Sequence, residues 1–169
     1  MVGIGGAVPG TGKDIRLGDI FVSSPELTSG AVIQYDAGKV ERDGQLVMKG
    51  LLNAPPRNIR TALATLQSNH ITNEENFPEY LEDMFNSFKK MAKKYSRPNS
   101  EADILFNSDY DHPRDIYDCS QCNLLQTKPR RARIAESVVH YGLIPSAHKK
   151  MKHGATRDKL WKEHGIECF

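Results

Sequence analysis

The sequence predicts an α/β fold, and three observations carry that expectation. Short apolar runs suited to strands stand near both ends, amphipathic helical periodicity fills the middle, and the resulting β…α…β order points to a sheet with helices packed on it. The chain has 169 residues, enough for one domain with a real core. A mean hydropathy of −0.54 with 38% apolar residues places it at the polar edge of globular composition. Either a long solvated insertion or a core missing some strands is therefore expected.

Charge and leader signals narrow the class. Lys and Arg number 23 against 21 Asp and Glu, a net charge of +2, which excludes a nucleic-acid scaffold held by bulk charge. The sequence has no apolar run of about 18 residues and no charged, then apolar, leader. The expectation is a cytoplasmic protein without a membrane partner. Three cysteines, Cys119, Cys122 and Cys168, are too few and too uneven for a secreted disulfide framework, so reduced thiols are expected.

Met1-Val2 reads as the end of a buried strand running into a turn at Gly3, Gly5 and Gly6. Ile15, Leu17, Ile20 and Val22 flank Gly18-Asp19, a turn entering a strand that ends near Ser24. Ala31 to Asp36 predicts a second strand and Gln45 to Met48 a weaker one. After Pro55-Pro56, the set Ile59, Ala62, Leu63 and Leu66 recurs at helical spacing, so a helix starts just past the prolines. A further helix is predicted from Pro78 to about Tyr95, with Leu81, Met84, Phe85 and Phe88 on one face and Lys89, Lys90, Lys93 and Lys94 near its C-terminal end. Cations there suit the helix dipole and favour a solvated helix end over a phosphate patch.

From Ser96 to Ser137 the texture turns to Pro, Asn, Asp, Ser and Arg, predicting a long irregular segment. Val138 to Ile144 reads as a buried strand ending at Pro145-Ser146. Thr156 is the expected cap of a helix that carries Leu160 and Trp161 and stops at Gly165. Ile166 to Phe169 begins another strand.

Several motifs invite chemical readings. Gly6 to Lys13 suggests a P-loop but fails on spacing: the first glycine of the motif would fall on Ala7, and Asp14 stands where a Ser or Thr should hold magnesium. The Gly3-Ile4-Gly5-Gly6 turn could cradle an anion or a ribose with its N–H groups, or be only a tight turn. Cys119-Ser120-Gln121-Cys122 could hold zinc with His112 or His140, form a redox pair, or be plain reduced cysteines in a loop. His148 and His153 follow a strand end, where open α/β sheets hold ligands, though Lys149, Lys150 and Lys152 equally suit a solvated basic turn. A serine-nucleophile elbow and an HExxH pair are both absent from the sequence.

Met1-Val2-Gly3-Ile4-Gly5-Gly6-Ala7-Val8-Pro9, Asp14-Ile15-Arg16-Leu17-Gly18-Asp19-Ile20-Phe21-Val22-Ser23 and His140-Tyr141-Gly142-Leu143-Ile144-Pro145-Ser146, in this order, resemble the nucleoside phosphorylase superfamily. The similarity is greatest to its fungal branch, which often forms an N-terminal domain beside ankyrin, tetratricopeptide or NTPase segments. It covers nearly the whole chain, including the insertion with Asp109-Tyr110-Asp111-His112 and the cysteine pair.

The resemblance implies a three-layer α/β/α domain with a mixed central sheet and a polar insertion at about residues 73–136. It implies cleavage of the N-glycosidic bond of purine-type nucleosides, with water or phosphate as nucleophile. Such a site must grip the ribose and protonate the departing base. Gly3, Ile4, Gly5 and Gly6 would lie at the phosphate and ribose end. Ile4 stands where many relatives carry a Ser or Thr toward the nucleophile. Ser146, Ala147, His148, Lys150 and Met151 would line the base and ribose pocket, with core packing an equal alternative for Met151. Ala147-His148 replaces the Gly then Asn or Asp of relatives.

The family's last strand continues into a Glu-Met-Glu motif that holds the ribose hydroxyls, and later into an Asp that is the general acid. Neither is in these residues, and Glu167 is out of register for the first. The resemblance thus implies a partial domain, truncated at both ends, with no catalytic residue assigned and no activity by itself. The expected partner is a small-molecule nucleoside, with homo-oligomers in keeping with the family and phosphate as the co-substrate in place of any cofactor. A non-catalytic nucleoside-sensing or protein-interaction module is the alternative, and a zinc-stabilised interaction through Cys119 and Cys122 a third.

Overall fold

The structure is a computed structural model that describes residues 2–9, 12–25, 30–40, 46–51, 53–72, 77–97, 99, 103–113, 118–133, 137–148 and 151–169, with 37–40 and 46–51 as backbone. Met1 and Lys150 lie outside the described residues. The fold is mixed α/β. Two compact units are present, one of Met1–Ala54 with Glu101–Phe169 and one of Pro55–Ser100.

The first unit holds the strands. Strands β1 (Ile20–Ser23), β2 (Val32–Val40) and β3 (Leu46–Leu51) come before the helical unit, and β4 (Val139–Gly142) and β5 (Ile144–Ser146) after it. β1 runs parallel to β4, from Ile20 opposite Val139 to Ser23 opposite Gly142. β2 runs parallel to β5, with Val32 opposite Ile144 and Gln34 opposite Ser146, and antiparallel to β3 with an irregularity between Gln34 and Gly38.

The single strand predicted over 138–144 is thus two short strands. At Leu143 the chain changes partner and bridges Ile166 in parallel, while Ala7 bridges Cys168 antiparallel. Ile144 N–H carries the contact across to the Ala31 carbonyl at 3.2 Å; an N–H at Pro145 would point away from β2, so the proline is tolerated there. The core lies along this seam: Val8, Ile15, Ala31, Ile33, Leu143 and Ile166 are buried. Ile166, with no exposed surface, contributes about 1.5–3 kcal/mol by burial alone.

The predicted turn before β1 exists and is fastened by Asp19. Gly18 takes φ 84 there, and Arg16 N–H donates to Asp19 Oδ2 at 2.8 Å. The same carboxylate receives both terminal nitrogens of Arg133, at 2.9 and 2.7 Å, the Val138 N–H at 3.0 Å and His140 Nε2 at 2.9 Å. Burial alone would raise its pKa, but Arg133 and the N–H donors outweigh burial and lower it to about 2. The segment expected to be irregular is tied to this turn as well: Arg130 reaches Asp14 at 2.9 Å and Asp103 at 3.0 Å.

Helix α4 (Gly154–His164) closes this unit. His153, not the predicted Thr156, is its cap: His153 Nδ1 accepts the Thr156 N–H at 3.3 Å and meets the Thr156 hydroxyl at 2.8 Å. The threonine hydroxyl is engaged by the histidine and the helix starts three residues earlier than predicted. Gly165 ends it at φ 67, a left-handed position that suits glycine.

The second unit contains α1 (Arg57–Thr72), α2 (Phe77–Ser87) and α3 (Lys89–Tyr95). α1 begins after the prolines, as the sequence predicts. Its Thr61 and Thr65 hydroxyls bond back to the Arg57 and Thr61 carbonyls. The helix predicted from Pro78 to Tyr95 is broken at Phe88, which has φ −128 and ψ 77. Asn86, Ser87 and Phe88 are three successive weak helix formers. The break puts Lys89 and Lys90 in the first turn of α3, so only Lys93 and Lys94 occupy the favourable C-terminal turn.

Candidate functional site

Parallel strands that end together gather their following residues at one edge of a sheet, where ligands of α/β folds usually bind. Here β2, β5 and the 166–169 segment run in one direction, and the 6–8 segment runs against them. The carboxyl ends of the first three and the amino end of the fourth therefore meet. Tyr35-Asp36, Ser146-Ala147-His148, Phe169 and Gly5-Gly6 all stand at that edge.

Contacts confirm the gathering. Gly6 N–H donates to the Phe169 carbonyl and Phe169 N–H to the Gly6 carbonyl, each at 2.6 Å. The Tyr35 and Phe169 rings meet edge to face with centroids 5.7 Å apart. His148 N–H donates to Asp36 Oδ2 at 2.7 Å, and that bond is the main cause holding the Asp36 carboxyl below the ordinary carboxylate range. Burial, then the Asp36 charge, push the Tyr35 hydroxyl up, so it remains a neutral donor.

Gly3, Ile4, Gly5 and Gly6 form no tight turn. They are an exposed stretch leading into the pairing with 166–169, and none takes a left-handed φ. Val2 and Ile4 are fully exposed, so Val2 is not the end of a buried strand. Gly5 is required for close approach, since a Cβ there would stand 2.8 Å from the Phe169 carbonyl oxygen and 2.9 Å from Cys168 Sγ. The Gly6 N–H is already committed to Phe169, so Gly3 to Gly5 is the part left to face a ligand.

Of the second predicted group, Ser146 and His148 are exposed and Ala147 and Met151 half-buried; Lys150 lies outside the described residues. His153 is the cap of α4. Lys13, the lysine of the failed P-loop, donates to Glu167 Oε2 at 2.6 Å and to the Tyr141 carbonyl at 2.7 Å, so Glu167 is held by an ion pair.

Away from this edge, His112, Cys119 and Cys122 bring their ligand atoms within 4.8 Å of one another. His140, the other sequence candidate for that group, is bonded to Asp19 instead. All three cysteines are free thiols, and burial pushes the Cys168 thiol up. Sequence reasoning missed Tyr35, Asp36, Phe169 and the Lys13–Glu167 pair. Their partners are more than a hundred residues distant, which no local spacing reveals. Among the described residues no helix is long and apolar enough to cross a membrane.

No family profile matches the chain, and no solved structure matches it. A nucleotide-binding leucine-rich repeat (NLR)-like protein of Hyaloscypha variabilis is 35% identical over 168 residues, which is 99% of this chain. The chain spans 16% of the length of that relative.

Proposed function

We propose that the chain is a nucleoside phosphorylase-like domain that binds a purine-type nucleoside without turning it over by itself, as one module of a larger NLR-like protein. The observation that carries this reading is the meeting of Gly5-Gly6, Tyr35-Asp36, Ser146–His148 and Phe169 at one sheet edge. Such a place offers an aromatic face for a base, a carboxylate for hydroxyls and exposed N–H groups for the sugar end. The reading includes the three-layer α/β/α arrangement around a mixed sheet and a cytoplasmic setting. The 35% identity to an NLR-like protein supports the modular context.

Turnover is not expected of these 169 residues because they contain neither the Glu-Met-Glu segment nor the general-acid strand that the resemblance calls for. Calorimetric titration of the chain with adenosine, inosine and methylthioadenosine tests the proposal, together with base-release assays with and without phosphate. Saturable binding of at least one nucleoside with no base released supports it. Rapid base release makes the chain an enzyme in its own right, and no binding of any of the three favours a protein-interaction module.

A further inference from the structure

We propose that His112, Cys119 and Cys122 form a zinc site, with a water in the fourth tetrahedral position. Two thiolates and an imidazole are the donor set zinc favours, at about 2.3 Å for sulfur and 2.0–2.1 Å for nitrogen. Donors around one ion then stand between about 3 and 4 Å apart. Cys119 Sγ is 3.7 Å from His112 Nε2, and all three donor atoms fall within 4.8 Å of one another. Closing the remaining gap needs only small side-chain rotations, and two thiol protons leave to solvent as the metal binds.

Two features show that the ligands are held for this geometry. His112 Nδ1 lies 3.1 Å from the Pro113 carbonyl; donating its proton there fixes the tautomer in which the Nε2 lone pair faces Cys119, as metal-bound histidines commonly donate their other ring N–H to a carbonyl. The cysteines sit on a reverse turn closed by Cys122 N–H to the Cys119 carbonyl at 3.1 Å, and Asn123 N–H donates to Tyr110 Oη at 2.8 Å. Tyr110, two residues before His112, is thus joined to the residue after Cys122, and its hydroxyl also meets the Cys122 thiol.

The segment is held by the Phe106–Thr127 bridge, the Phe106–Tyr110 ring stack and the ion pairs of Arg130, with little apolar core of its own. Among its described residues from 103 to 133 none is buried, and Leu124 and Leu125 are 60% and 90% exposed. Small regions with little core are those that a metal stabilises.

The test uses the metal-free 169-residue chain, reduced with a phosphine, titrated with Co2+ alone and then with Zn2+. The expected result is saturation at one cobalt per chain, thiolate-to-cobalt charge-transfer absorption of two-thiolate intensity, and displacement by zinc. C119S and C122S should each halve that absorption, H112A should weaken binding by about tenfold or more, and C168S should change nothing. Should the variants lose their fold by circular dichroism, the charge-transfer intensity of the unaltered chain decides. Absence of that absorption overturns the site, as does its survival in the C119S/C122S double variant or its loss in C168S.

Discussion

Lys13 Nζ lies 2.6 Å from Glu167 Oε2, and the two residues are 154 positions apart. Because the same ammonium also binds the Tyr141 carbonyl, one side chain joins the segment before β1, strand β4 and the final segment. Glu167 is 16% exposed and Lys13 34%, so the pair is shielded on the acidic side and screened on the other. Replacing Lys13 with Ala leaves a shielded carboxylate without its cation and should cost about 1–2 kcal/mol in urea unfolding. The double variant K13A/E167Q should cost less than the sum of the singles; strict additivity would show that the pair contributes no coupling.

Asp19 makes stability depend on acid. Its carboxyl titrates at about 2 in the folded chain against an ordinary value of 3.8, so the unfolded chain binds the proton more readily. Stability from this group is therefore full above about pH 5 and declines as pH falls through 3.8 toward 2. The amount is about 2 kcal/mol. Unfolding curves at neutral pH and near pH 3 should show a larger loss for the native sequence than for D19N, which starts lower and lacks this proton. Equal losses would rule the mechanism out.

Gly5 and Gly6 are adjacent and should respond unequally to the same substitution. A Cβ at Gly5 collides with Phe169 and Cys168, whereas at Gly6 it meets nothing within 4 Å. G5A should destabilise by about 1–3 kcal/mol and weaken nucleoside binding, because Phe169 is displaced from Tyr35. G6A should stay within about 0.5 kcal/mol of the native sequence. Thermal melts of the two variants, with calorimetric binding, check both; equal effects would mean that Gly5 does not pack against the final residues.

Ala31 is buried at φ 78, a conformation that β-branched residues rarely adopt. Its carbonyl accepts the Ser23 hydroxyl at 2.8 Å and the Ile144 N–H at 3.2 Å, so these two bonds hold Ala31 in its strained conformation at the entry to β2. A31V should lower stability by about 2 kcal/mol or more, measured by chemical denaturation. A change under about 0.5 kcal/mol would indicate that the position relaxes.

Elements whose cause is local were legible in the sequence, and those set by distant partners were not. Pro55-Pro56 followed by Ile59, Ala62, Leu63 and Leu66 marks α1, Gly165 marks the end of α4, and Gly18-Asp19 marks the turn before β1, each from chemistry within a few residues. The break at Phe88 has only weak propensities behind it, with no proline or glycine to announce it. Leu143 looks like the middle of a strand because the change of partner around it, from β1 to β2, and its own bridge to Ile166 depend on residues far from it in sequence. At the candidate site, Gly5-Gly6 and Ser146–His148 stand at one edge, but Tyr35, Asp36 and Phe169 beside them are ordinary strand residues in sequence. The capping role of His153 was hidden because histidine is an unusual cap beside an available threonine.

The antiparallel bridge between Ala7 and Cys168 also governs when the sheet can assemble. The hydrogen-bonding partners of residues 6–8 lie some 160 residues further along the chain, and until they are made the polar backbone groups of 6–8 face water or a chaperone. Pairings of such long separation close slowly, because loop-closure entropy must be overcome before the contacts form. The Gly5–Phe169 edge is therefore among the slowest parts of this fold to close, and the proposed nucleoside binding should appear only once that pairing has formed.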